Sequence, residues 1–227
     1  MKKTILIFGL IGILILGGLY AKQKYHDQNR GAENTKIEVG KPASASEIRD
    51  GDLIFQTSLS GQSKAIQLAT KSKYSHCGII YREGDIYYVF EAVQPVKITP
   101  LDAWIARGEN GHYVIKRLKN ADKILTQDVL KKMKDEGIKL IGKSYDLAFE
   151  WSDDKIYCSE LIWKIYQRAA GIEIGKLENL GDFDLTNEVV KEKMQERYGN
   201  KIPLEEIVIS PSAIFDSELL ILVKSEK

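Results

Sequence analysis

Apolar and polar positions divide this chain into three stretches. An apolar run from Ile5 to Tyr20 follows Lys2 and Lys3, and no charge returns until Lys22. A basic start followed by such a run is the plan of an export signal. The run is also just long enough to cross a bilayer. Residues 1–21 therefore read as either a cleaved signal peptide or a retained membrane anchor. From 22 to 46 no apolar period survives, and Gln28-Asn29-Arg30-Gly31 and Lys41-Pro42-Ala43-Ser44 mark a polar linker. From 47 to 227, short apolar runs and helical periods alternate with turn signals, which predicts one folded α+β domain.

Within that domain Arg49-Asp50-Gly51-Asp52 predicts a turn and Leu53-Ile54-Phe55-Gln56 a buried strand. Ala65, Ile66, Leu68 and Ala69 mark a short amphipathic helix. Strand formers fill 76–81 and 86–91 on either side of Arg82-Glu83-Gly84-Asp85, a hairpin signal. Further strands are expected at 96–98, 112–118 and 219–223, with a closing element at 206–209. Helices are expected from Pro100 to Arg107, from Thr126 as cap to about Ile141, and over 189–198. The clearest helix begins at Cys158: Leu161, Ile165 and Ala169 recur every four residues, Ile162 and Tyr166 widen the stripe, and Gly171 stops it.

Composition narrows the classes. Thirty-three basic and 32 acidic residues leave a formal charge of +1, so no nucleic-acid surface is indicated. The 2 cysteines and 3 histidines form no CxxC or HxxxH pair, so neither a metal nor another cofactor is expected.

The candidate chemistry lies at Cys158. A thiol in the first turn of a helix meets free amides and the positive end of the macrodipole, which favour its anion. Such a cysteine is either a small buried hydrophobe or an activated nucleophile, and a nearby base decides between them. With Glu83 and Gly84 as the central hairpin residues, antiparallel pairing sets His76 directly opposite Glu91, on one face of the sheet. The carboxylate would then orient the imidazole, unless the two form only a surface ion pair. By alternation Cys77 should point to the opposite face, away from Cys158, and act as core filler. His112, at a strand entrance, reads as a surface residue.

These stretches resemble the YiiX-like, circularly permuted papain-fold amidases of the NlpC superfamily. The likeness is carried by Gly51 to Gln56, Gln62 to Thr70, Tyr74-Ser75-His76, Val89 to Val93, Trp151 to Asp154 with Tyr157-Cys158-Ser159-Glu160, Pro203 to Glu206 and Ser210-Pro211. It implies an antiparallel sheet packed on helices, with the nucleophile at a helix N-terminus. It also implies a cysteine hydrolase in which Cys158 is nucleophile, His76 base and Glu91 orienting group, joined in the permuted order His, Glu, Cys. Gly142-Lys143-Ser144-Tyr145 looks like the Gly-x-Pro-Tyr element of NlpC enzymes with serine for proline, which suggests Tyr145 beside the oxyanion site. Tyr157 and Glu160, flanking the nucleophile, are expected to contact substrate, Glu160 standing where many NlpC enzymes have glycine. The resemblance points to cell-wall peptides or other amides as substrate, with acyl lipids as the alternative, and leaves open a non-catalytic exported binding module.

Overall fold

A six-stranded antiparallel sheet organises the domain, its strands in the order β10-β5-β1-β2-β3-β4. The computed structural model describes residues 48–226; the expected export segment and linker lie outside the described residues. In chain order the elements are β1 (Leu53–Gln56), α1 (Ser63–Thr70), β2 (His76–Glu83), β3 (Ile86–Glu91), β4 (Lys97–Pro100), α2 (Leu101–Ala106), β5 (Tyr113–Leu118), α3 (Ala121–Ile124) and α4 (Gln127–Leu140). There follow β6 (Ser144–Tyr145), β7 (Lys155–Ile156), α5 (Cys158–Ala170), β8 (Glu178–Asn179), α6 (Glu188–Tyr198), β9 (Ile207–Val208), α7 (Pro211–Phe215) and β10 (Leu220–Glu226).

Strand β1 is apolar without alternation because both faces of the sheet are covered there. Leu53 and Phe55 pack with Ile79, Phe90, Ile162 and Tyr166 on one side, and Ile54 packs with Ile80, Val89 and Trp104 on the other. Helix α5 lies on the first of these faces, against β2 and α4. Its apolar stripe is the predicted one, and Gly171 ends it in the left-handed region at φ +68°. The Thr126 side chain accepts a hydrogen bond from the Val129 amide and starts α4.

The hairpin register differs from the expected one. Glu83 pairs with Ile86, so the two loop residues are Gly84 and Asp85, not Glu83 and Gly84. The positive φ of Gly84, +60°, selects this turn. Continued along the strands, the observed pairing sets Glu91 opposite Gly78, not opposite His76. Moving a two-residue loop by one position changes each partner by two. A shift of two leaves every side chain on its original face, so His76 and Glu91 remain diagonal neighbours. Gly78 also keeps the space between the strands open: a Cβ there would lie 2.4 Å from Val89 Cγ1 and 2.9 Å from the Phe90 carbonyl oxygen.

Candidate active site

Three segments converge at the end of β2 that carries His76. Parallel pairing of β6 with β7 sets Tyr145 beside Ile156, two residues before Cys158. Helix α5 then begins at Cys158, which is buried. Its first amides have no acceptor within the helix.

His76 and Glu91 form the most tightly bound part of the site. Both are buried, and His76 Nε2 lies 2.7 Å from Glu91 Oε2. The other carboxylate oxygen accepts from Thr99 Oγ1 at 2.6 Å and from Arg107 Nη2 at 2.5 Å. Trp104 stacks on the imidazole with ring centroids 5.7 Å apart. With Nε2 committed to Glu91, Nδ1 is left for the thiol. Burial opposes charge on both groups, yet their mutual contact prevails. Hydrogen bonds to Cys158 and Glu91 lift His76 to about 9, and those from His76, Arg107 and Thr99 hold Glu91 down at about 2.

Cys158 corrects one expectation. Cys77 does not turn away from it: both lie in one buried cluster, and hydrogen bonding from Cys77, followed by His76, is what lowers the Cys158 pKa. These contacts hold Cys158 well below the ordinary thiol value despite its burial, while burial pushes Cys77 well above it. Cys77 is therefore the donor and Cys158 the thiolate. Alternation does place the two β2 residues on opposite faces, Cys77 among the residues under α5 and His76 against Trp104. Because His76 is the first residue of β2, its ring reaches past the strand end to a helix that starts there. Both cysteines are free thiols.

The remaining expected residues divide. The Tyr145 hydroxyl accepts from Gln62 Nε2 at 3.0 Å, which leaves its own hydrogen free to donate, and it meets the Cys158 sulfur. Arg197 Nη2 in turn donates to Gln62 Oε1 at 2.5 Å. The Tyr157 hydroxyl accepts from the Ile209 amide at 3.1 Å, and the residue lines the apolar cavity beside Cys158. Glu160 does not reach the cleft. It is fully buried, accepts from the Tyr157 amide at 3.2 Å and holds Lys164 Nζ at 2.6 Å. Third in the helix, it is better placed to cap α5 than to meet substrate. His112 lies apart, 3.3 Å from Lys73 Nζ, and His26 lies outside the described residues. Sequence reasoning missed Gln62, Thr99, Trp104, Arg107 and Arg197. Gln62 opens one of the stretches that carry the resemblance, but nothing there marks its contact with Tyr145; the others carry no local motif, and only the pairing of β3 with β4, which sets Thr99 opposite Val89, hints at the Thr99 contact.

Two hollows flank the Cys158–His76 pair, and Tyr145 lines both. A groove of mixed lining on the imidazole side is bounded by Gln56, Leu59, Gln62, Val93, Gln94 and Arg107. An apolar cavity on the sulfur side is bounded by Ile66, Phe149, Leu180, Phe183, Val190 and Met194. Among the described residues no group of three or more His, Cys, Asp or Glu side chains is arranged to hold a metal ion.

Comparison with known proteins follows the same outline. The family model for permuted papain-like amidase enzymes, YaeF/YiiX, C92 family, matches residues 47–223. An uncharacterized protein YiiX of Escherichia coli strain K12 is 48% identical over 188 residues, which cover 83% of this chain and 92% of that protein. A crystal structure described as metalloprotein yiiX from Escherichia coli O157:H7 matches with a TM-score of 0.76 at 49% identity, covering 79% of this chain and 98% of that one.

Proposed function

This chain belongs to the permuted papain-like amidase family of YaeF and YiiX, and from that premise we propose that it is an exported cysteine hydrolase that cleaves amides through Cys158, His76 and Glu91. The observation that carries the reading is the buried His76–Glu91 hydrogen bond, 2.7 Å long, beside a Cys158 thiol whose pKa is held down by hydrogen bonding from Cys77 and then His76 despite its burial. The Cys158 thiolate attacks the carbonyl carbon, and the resulting oxyanion is met by the Cys158 amide and the Tyr145 hydroxyl. His76 protonates the leaving nitrogen as the C–N bond breaks. It then takes a proton from water, which attacks the thioester, releases the acid and restores the thiolate. Glu91 keeps the ring aimed and its charged form favoured.

The two hollows suggest how substrate lies. The proton donor lines the imidazole-side groove, so the leaving amine belongs there and the acyl portion enters the apolar cavity. The apolar lining also favours a second reading, hydrolysis or transfer of a lipid acyl ester by the same thiolate. Peptidoglycan fragments, fatty-acyl amides and phospholipid vesicles assayed side by side separate the two. Export rests on the basic and apolar plan of residues 1–21.

Cys158→Ala should abolish turnover and iodoacetamide labelling at mildly acidic pH while the circular dichroism spectrum stays that of the parent. Retention of the parent's hydrolytic rate by this variant would overturn the assignment.

A further inference from the structure

One wall of the apolar cavity carries a charge that the proposed reaction leaves without a task. Among the described residues lining that cavity, Arg197 is the only acidic or basic side chain. It projects from the last turn of α6, its guanidinium 4.7 Å from the centre of the Phe149 ring. Its side-chain hydrogen bond among the described residues goes to Gln62 Oε1, an uncharged acceptor. Among the described residues no carboxylate forms an ion pair with it; of the two whose charge reaches it, Glu196 is engaged with Lys193 at the surface and Asp146 is buried and accepts from the Ala148 amide. Burial disfavours its charged form. A guanidinium offers five donors in a planar fork, and a cation turned into an apolar hollow without a paired anion is costly to keep.

We infer that Arg197 anchors an oxyanion, a carboxylate or a phosphate ester, borne by the part of the substrate that enters the apolar cavity. The fork matches either group through two parallel hydrogen bonds. The Phe149 ring holds the guanidinium plane by cation–π contact, and Gln62 ties it to Tyr145. The cavity thus takes an apolar body of limited reach that ends in a negative charge. A plain hydrocarbon chain would leave Arg197 unpaired. This inference rests on Cys158 as the nucleophile.

The test uses alkylation of Cys158 in the whole protein by three iodoacetamide probes on a hexyl tether, ending in a carboxylate, a phosphate or a primary amide. Unsubstituted iodoacetamide is the reference. Absence of labelling by the reference reagent sinks the nucleophile assignment and so identifies that failure separately. With labelling present, at least one anionic probe should react roughly tenfold faster than the amide probe, and the faster of the two identifies the oxyanion. Arg197→Gln should bring the anion-to-amide ratio down towards one, and Arg197→Lys should keep part of it. The ratio cancels any general slowing caused by disturbing Gln62 and Tyr145. Equal rates for all tethered probes in the parent protein, or an unchanged ratio in Arg197→Gln, would overturn the inference, and the parent ratio needs no variant to fold.

Discussion

Glu91 shows how much of the site hangs on one side chain. Its two oxygens serve His76, Thr99 and Arg107, all within 2.7 Å, and the carboxylate itself is fully buried. Loss of its charge should be felt first in the imidazole. In Glu91→Gln the alkaline limb of the kcat/KM profile, expected near pH 9 from His76 in the parent, should move to lower pH and the maximum should fall. A limb left in place would show that another group sets it. Cys77 is the second test at this scale. As the leading donor to the Cys158 sulfur it favours the thiolate, so Cys77→Ala should raise the pH at which Cys158 reacts with iodoacetamide. Rates of alkylation followed by mass spectrometry from acid to neutral pH give the answer directly.

At the scale of elements, the start of α5 is held by contacts separate from the chemistry. Glu160 bonds the Tyr157 amide and the buried Lys164 ammonium, which also bonds the Ser152 carbonyl and Asp153 Oδ1, both at 2.9 Å or less. Glu160→Ala removes the helix cap and one charge-assisted acceptor, at a cost of about 2–3 kcal/mol. Its denaturation midpoint should drop by that measure, while Cys158 in the folded fraction keeps its iodoacetamide reactivity. Loss of reactivity without loss of stability would instead return Glu160 to the reaction. The hairpin teaches a related lesson: its register was misplaced by two residues, yet the His76–Glu91 pairing survived because faces depend only on parity.

For the whole molecule, the buried pair links folding to pH. Glu91 falls from 4.5 to about 2 on folding, so its contribution is complete above pH 4.5 and is lost as pH falls through about 2. His76 rises from 6.5 to about 9, so its contribution is complete below pH 6.5 and is lost as pH climbs through about 9. Together they support the fold most between about pH 4.5 and 6.5. Burial lifts Glu160 to about 7, which likewise favours the acidic side of that window over neutral pH. Melting temperatures measured across pH should decline towards pH 9 in the parent and decline less steeply in Glu91→Gln. Parallel curves for the two proteins would remove this pair from the linkage.

Read alone, the sequence was enough for the β1 strand, the α5 helix with its stop at Gly171, the caps at Thr126 and Gly171, and the pairing of a histidine with a carboxylate across one hairpin. Each depends on the order of neighbours along the chain: side-chain period, glycine at a positive φ, strand parity. It was also enough, by resemblance, to name the family. Other features waited on the tertiary structure: Cys77 against Cys158, Thr99 and Arg107 on Glu91, Gln62 and Arg197 behind Tyr145, and Glu160 turned inward as a cap. Those contacts join residues from separate strands and helices, and they depend on where α5 abuts the end of β2 and where α6 closes the cavity. Local periodicity records which face a side chain occupies, but the distance between two elements is set by packing of the whole core, which no short stretch of chain encodes.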